Sequence, residues 1–236
     1  MPMAGVLMVQ SAARGGPGRL GRWLAADGLT CDVVRACDGD ELPTGLRHEA
    51  LVVLGGGYLP DEDARAPWLP RTRALVAEAL TAGTPVLGIC LGGQLLAQVA
   101  GGEVAARHGR PEIGSTELTV RPEAATDPLF GRLPGRVTAI EHHVDAVTRL
   151  PPEAVWLMES AHCPYQAFRV GRRAWGVQFH PEADPERLRA WDPDALAAHG
   201  LDHAAVHRRA LRDDPVAAPV WRALARRFAR LVTGTP

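Results

Sequence analysis

At 236 residues, with 46% hydrophobic content and a formal net charge of -1, the chain is long enough for one large α/β domain, or a domain with an appendage, and apolar enough to pack a core. With a charge balance this close to neutral, bulk electrostatics point to neither nucleic acid nor a membrane surface. No apolar run approaches the ~20 residues of a membrane span, Met1-Pro-Met-Ala carries no basic region or cleavage site, and Cys31, Cys37, Cys90 and Cys163 form no CxxC pair or small disulfide framework, so reduced thiols in a cytoplasm are expected.

In chain order, Gly5 to Gln10 reads as a buried strand, Leu20 to Leu29 as a short helix, and Cys31 to Arg35 as a second strand. Leu51 to Leu54 is continuous and apolar, which predicts a strand covered on both faces, and it runs into Gly55-Gly56-Gly57-Tyr58. Asp61 to Pro70 is a polar loop carrying Trp68, and Arg71 to Ala82 has the spacing of an amphipathic helix. Val86 to Ile89 is the next strand and ends at Cys90, after which Leu91 to Ala100 turns helical. Strands alternating with helices predict a doubly wound, mostly parallel sheet flanked by helices, with ligands at the carboxyl ends of its strands. After Gly101 the texture changes. Short segments at Glu117 to Val120, Arg136 to Ile140, Ala154 to Met158, Gln166 to Val170 and Trp175 to Phe179 predict a small mixed or antiparallel sheet added to that core. Val220 to Val232 reads as an amphipathic helix with a basic stripe of Arg222, Arg226 and Arg230, capped by Asp213-Asp214-Pro215.

Three short stretches carry chemistry. Gly88-x-Cys90-x-Gly92 lies at a strand-to-helix corner, where small flanking residues tolerate an unusual backbone at a nucleophile. A helix N-terminus there favours both a thiolate and an oxyanion. His180-x-Glu182 supplies a base and a carboxylate to orient it, since residues i and i+2 of an extended chain point to one side. Gly55 to Gly57 lets backbone N–H groups approach a ligand, and with the N–H of Leu91 would form an oxyanion hole. Taken alone, Cys90 reads as a buried structural thiol, His-Pro-Glu as a surface pair, and the glycines as a loop; together they reinforce one another. His142, His143, His162 and Cys163 match no zinc spacing, so no metal is expected.

Gly-Ile-Cys-Leu-Gly-Gly-Gln at Gly88 to Gln94, followed by Gln-Phe-His-Pro-Glu at Gln178 to Glu182, resembles the class I (triad-type) glutamine amidotransferase family. The Gly-Gly-Gly-Tyr loop and Pro67-Trp68-Leu69 resemble its stand-alone branch, similar to the glutaminase domain of GMP synthetase. The resemblance implies a flavodoxin-like α/β core, with Cys90 as nucleophile, His180 as base and Glu182 as its orienting acid. It implies Gly56 and Leu91 as oxyanion donors and Gly57, Gln94, His143 and Asp145 at the substrate, the His143-Val144-Asp145 segment acting through its backbone. Gly57 stands where the family usually has proline, which loosens that loop.

The expected layout is an amidotransferase domain over 1–190 and a helical extension over 191–236 packed on the same domain. The expected activity is hydrolysis of the glutamine γ-amide through a γ-glutamyl thioester on Cys90, without a cofactor, the ammonia passing to an unnamed acceptor. The alternatives are a γ-glutamyl peptide hydrolase using the same triad, or a regulatory or glutaminase component that works only with a synthetase or other acceptor-enzyme partner. The mouth of the site is expected from Tyr58 to Trp68 and His108 to Gly114, with Arg65, Arg107 or Arg110 available to hold a peptide carboxylate.

Overall fold

The computed structural model describes residues 4–235; Met1 to Met3 and Pro236 lie outside the described residues. In chain order these residues form β1 (Gly5–Val9), α1 (Gly18–Ala26), β2 (Thr30–Val34), β3 (Ala50–Val53), α2 (Leu69–Ala82), β4 (Val86–Ile89) and α3 (Leu91–Val99). There follow β5 (Glu103–Ala105), β6 (Glu112–Val120), β7 (Arg136–His143), β8 (Ala146–Arg149), β9 (Val155–Ser160), β10 (Ala167–Val170) and β11 (Ala174–Val177). The chain closes with α4 (Pro185–Leu188), α5 (Pro193–Ala197) and α6 (His203–Thr233).

The continuous apolar runs become the middle of the sheet because both of its faces are covered. Val6 and Met8 of β1 pack to one side with α1 and α6, while Leu7 and Val9 pack to the other with α2 and α3. The main sheet has nine strands in the order β2-β1-β3-β4-β11-β10-β9-β6-β7. Its first five strands are parallel to their neighbours and the remaining pairings are antiparallel. The late strands thus extend the parallel core, and a separate two-stranded sheet forms from β5 and β8. β11 decides the geometry of the site. It arrives late in the chain but pairs with β4, Val177 opposite Ile89, so the residues after each strand emerge side by side.

β6 begins at Glu112, earlier than the Glu117 expected from composition. The interruption is Gly114, which sits in the strand at a φ of 98° where an added β-carbon would stand 2.9 Å from Val206 Cγ1. No helix among the described residues is long and apolar enough to cross a membrane.

The tail is the clearest correction. α6 is one helix of 31 residues that runs through Pro215 and Pro219. Its cap is Asp202, whose side chain accepts from the Ala205 N–H at 2.7 Å. Asp213 and Asp214 do not cap; they reach sideways, Asp213 accepting from Ser115 at 2.8 Å and Asp214 from Arg19 at 2.6 Å. Each proline removes a helix hydrogen bond, but Ala210, Ala217, Trp221, Leu224, Ala225 and Phe228 bury a continuous face that holds the helix across the gap. The basic stripe is partly paired as well, with Arg222 and Arg226 beside Asp27 at the end of α1. The hydrogen bond from Arg222 is the main reason the Asp27 carboxyl lies below its ordinary range, against a smaller opposing effect of burial.

Trp221 is fully buried, donates its indole N–H to the Thr138 carbonyl at 3.0 Å, and packs on Phe179 with ring centroids 4.6 Å apart. Trp221→Ala is expected to lower stability by ~3–5 kcal/mol, read as a shift in the urea midpoint. A midpoint unchanged from wild type would mean that α6 contributes little to the core.

Candidate active site

β3, β4 and β11 are adjacent, and their carboxyl ends carry Gly55 to Gly57, Cys90 and the Gln178 to Glu182 segment. The Cys90 N–H donates to the Val177 carbonyl at 2.8 Å, which locks the two strand ends together. Cys90 has φ 52° and ψ -111° and caps the N-terminus of α3. A side chain in that region is strained, and the tight corner makes the strain unavoidable. A β-carbon on Gly88 would stand 2.3 Å from the Gly92 carbonyl oxygen, and one on Gly92 would stand 2.0 Å from that of Val53. Leu91 is the first residue of α3, so its N–H has no partner within the helix.

His180 is the bridge between cysteine and carboxylate. Its Nδ1 lies 2.8 Å from Glu182 Oε1. A carboxylate accepts, so Nδ1 carries the proton and Nε2 is left for Cys90. Burial by itself would lower the His180 imidazole, but the Glu182 charge and the Cys90 thiol outweigh it and hold the ring well above its usual range. Burial likewise works to raise Glu182, yet His180 and then Arg187 keep its carboxyl below the ordinary value. Arg187 Nη1 reaches Glu182 Oε1 at 3.1 Å. The His180 N–H is itself held by the Ile140 carbonyl at 2.8 Å. Gly55 faces this pair so closely that an added β-carbon would lie 2.8 Å from the ring's Cε1.

The other three thiols are in different surroundings. Burial raises Cys31 and Cys37 and pushes Cys163 up to about 12, so none of them is a thiolate near neutrality unless a cation sits beside it.

A cavity of about 950 Å³ opens over Cys90 and His180. Gly56 and Gly57 line it, and so does Val144, between His143 and Asp145. Gln94, His143 and Asp145 turn elsewhere. Gln94 is 3% exposed and donates to the Asp145 carbonyl and to Gln178 Oε1, both at 3.1 Å. His143 Nδ1 also meets the Asp145 carbonyl at 3.1 Å, and the Asp145 carboxylate accepts from the Arg107 N–H at 2.8 Å. These bonds shape the segment whose Val144 faces the cavity.

The mouth differs from expectation. Ile113 contributes to the wall, but among the described residues none of Tyr58 to Trp68 does. That loop is tied to the body of the protein: Tyr58 and Trp68, edge-on to each other at 5.5 Å, pack on the core that α2 and α3 share with the sheet, and Asp63 is bidentate with Arg73. Residues of the segment from Ala183 to His199, with Trp191 and Leu196, line the cavity, and Arg14 and Arg187 stand on its wall where Arg65, Arg107 or Arg110 was expected.

Gln178 was missed by sequence reasoning although its signal was present. It precedes His180 by two residues, as His180 precedes Glu182, and alternation puts all three on one side. Its Nε2 lies 3.5 Å from Cys90 Sγ. Arg187 carried no such signal, because α4 brings it to Glu182 through tertiary structure.

A doubly wound α/β sheet with a strained cysteine corner facing a half-buried histidine backed by a buried glutamate defines the class of protein. Residues 20–191 match the family model described as glutamine amidotransferase class-I, and the chain belongs to that family of enzymes. It is 40% identical over 155 residues to a GMP synthase (glutamine-hydrolyzing) of Aeropyrum pernix, a match spanning 66% of this chain and 28% of that protein. It is 42% identical over 108 residues to a GMP synthase (glutamine-hydrolyzing) of Streptococcus pneumoniae, spanning 44% of this chain and 20% of that one. The chain therefore spans less than a third of the length of these two relatives. The crystal structure of a glutamine amidotransferase from Thermotoga maritima superimposes with a TM-score of 0.86 at 26% identity, covering 97% of this chain and 99% of that one.

Proposed function

We propose that the protein cleaves the γ-amide of glutamine through a γ-glutamyl thioester on Cys90. The observation that carries this reading is the strained Cys90 corner beside the 2.8 Å His180–Glu182 bond. The Cys90 thiolate adds to the amide carbonyl, and the N–H groups of Gly56 and Leu91 stabilise the oxyanion. His180 protonates the departing nitrogen, which leaves as ammonia. It then takes a proton from water, whose oxygen attacks the thioester to release glutamate and restore the thiolate. Glu182 orients His180 and stabilises its charged form. Relatives named as GMP synthases support an acceptor enzyme that consumes the ammonia, supplied by a partner. Four free cysteines suit a reducing compartment such as the cytoplasm.

A second reading, hydrolysis of γ-glutamyl peptides, is favoured by one observation. The cavity, at about 950 Å³, is far larger than a glutamine side chain needs. Comparing kcat/KM for glutamine and for γ-glutamyl dipeptides under identical conditions decides between them. A preference for dipeptides above ~100-fold, about 2.7 kcal/mol of transition-state binding, overturns the first reading.

Glu182→Gln keeps the shape of the orienting group and removes its charge. The expected result is a fall in kcat on the order of 10²-fold or more. The sign of the pH effect follows from His180. Its imidazolium is held above the ordinary range by Glu182, so without that charge it deprotonates at lower pH. The alkaline limb of the kcat/KM profile moves down in pH accordingly; an unchanged limb would mean that another group holds the base.

A further inference from the structure

Behind Val144, several polar side chains are buried together with more acceptors than donors among them. The β6–β7 register sets Glu112 directly opposite His143, and the two-residue period of β7 puts Glu141 on the same side as His143. The loop after β9 adds Cys163. Ser160 donates to both Glu112 oxygens, at 2.8 and 2.9 Å, and Gln166 Nε2 donates to Glu112 Oε2 at 2.6 Å. Glu141 is 0% exposed, yet neither of its oxygens, nor Gln166 Oε1, has a hydrogen-bond partner among the described residues.

His143 makes the imbalance sharper. Its Nδ1 faces the Asp145 carbonyl at 3.1 Å, and a carbonyl can only accept, so Nδ1 holds the ring proton. In the neutral ring, Nε2 then points a lone pair at Glu112 Oε2, 3.3 Å away, and Glu141 Oε2, 3.6 Å away. Three sets of lone pairs meeting in a buried space repel unless a cation or a proton lies between them, and burial, with the Glu112 charge, raises the Glu141 carboxyl well above its ordinary range.

We propose that this cluster binds a divalent ion of the zinc class, with Glu112, His143 and Cys163 as ligands and the unpartnered Glu141 carboxyl beside them, 3.6 Å from His143 Nε2. The ligand atoms of the first three lie within 4.8 Å of one another. Tetrahedral zinc needs ligand atoms ~3.4–3.8 Å apart, a contraction that side-chain rotation supplies. A mixed sulfur, nitrogen and oxygen set suits zinc over magnesium or calcium. The outer contacts are of the kind that orient metal ligands: the Asp145 carbonyl fixes the His143 tautomer, and Ser160 and Gln166 fix Glu112. Glu112 and Ser160 also line a surface cleft, which gives an ion a route in. Bound there, the ion ties β6, β7 and the loop after β9 behind the wall that Val144 presents to the cavity. This proposal does not depend on the reaction assigned to Cys90.

The test begins with the full chain expressed in zinc-supplemented medium and assayed by elemental mass spectrometry, where about one zinc per chain is expected. Chelator-stripped Cys90→Ala protein is then titrated with cobalt(II). A near-ultraviolet thiolate-to-cobalt charge-transfer band is expected, absent in the Cys90→Ala, Cys163→Ser double variant. Glu141→Gln should weaken cobalt binding by ~10–100-fold. Metal content far below one per chain that added zinc does not raise would overturn the proposal, leaving a proton on Glu141 to balance the cluster. A charge-transfer band that survives Cys163→Ser would also overturn it, since the thiolate would then belong to Cys31 or Cys37. Should Cys163→Ser fail to fold, the wild-type stoichiometry and the Glu141→Gln titration decide.

Discussion

Cys90→Ser is expected to fold as the wild type does and to lose turnover of glutamine by at least ~10⁴-fold. Folding should be preserved because serine keeps the β-carbon that already occupies the strained position at φ 52° and changes a single atom beyond it. Turnover should not be preserved, because an alkoxide forms far less readily than a thiolate. The surroundings are also built around sulfur. Gln178 Nε2 stands 3.5 Å from Cys90 Sγ, a length suited to a sulfur acceptor and long for a hydroxyl. The loss is measured as steady-state ammonia release, with circular dichroism to check the fold. A glutamine-mimicking electrophile should modify the wild type at one residue. Mapping the adduct to Cys31, Cys37 or Cys163 would remove Cys90 from the mechanism.

Gly92→Ala is expected to leave no cooperatively folded protein, a destabilisation beyond ~4–5 kcal/mol. The added methyl carbon would stand 2.0 Å from the Val53 carbonyl oxygen and 2.7 Å from its carbon. Neither side can yield. Val53 belongs to β3, which is paired with β1 on one edge and β4 on the other. α3 cannot lift, because Leu91, Leu95 and Leu96 are fully buried against the sheet. Gly57→Ala is the contrast. Nothing lies within 4 Å of a β-carbon at Gly57, so its stability should stay within ~0.5 kcal/mol of wild type. Urea unfolding of both variants checks the pair, and a Gly92→Ala midpoint close to wild type would show that the corner relaxes in a way the packing gives no sign of.

Much of the site was legible because its parts are local. Gly88, Cys90 and Gly92 lie within one turn, and His180 and Glu182 are two residues apart, so spacing alone relates their side chains. Gln178 obeyed the same period and could have been read with them. The mouth was not legible. Tyr58 to Trp68 has the composition of a mobile loop, but Arg73 and the packing of Tyr58 and Trp68 on the core hold it to the body. Ala183 to His199 lines the cavity for reasons of chain path that no local pattern encodes.

The sequence by itself determined the parallel core, through apolar runs that only a doubly covered sheet can bury, and the cysteine corner, through the small residues two before and two after Cys90 at a strand-to-helix turn. It also determined the His180–Glu182 pairing, because an extended chain alternates its side chains. Tertiary structure alone decided that β11 pairs with β4 and so sets Cys90 beside His180. It alone carried α6 through two prolines, because a buried face spread over the whole helix outweighs the two lost hydrogen bonds. It alone gathered Glu112, Glu141, His143 and Cys163 in one buried space, since their meeting depends on the register of β6 against β7, and register is a property of paired strands that neither strand holds alone.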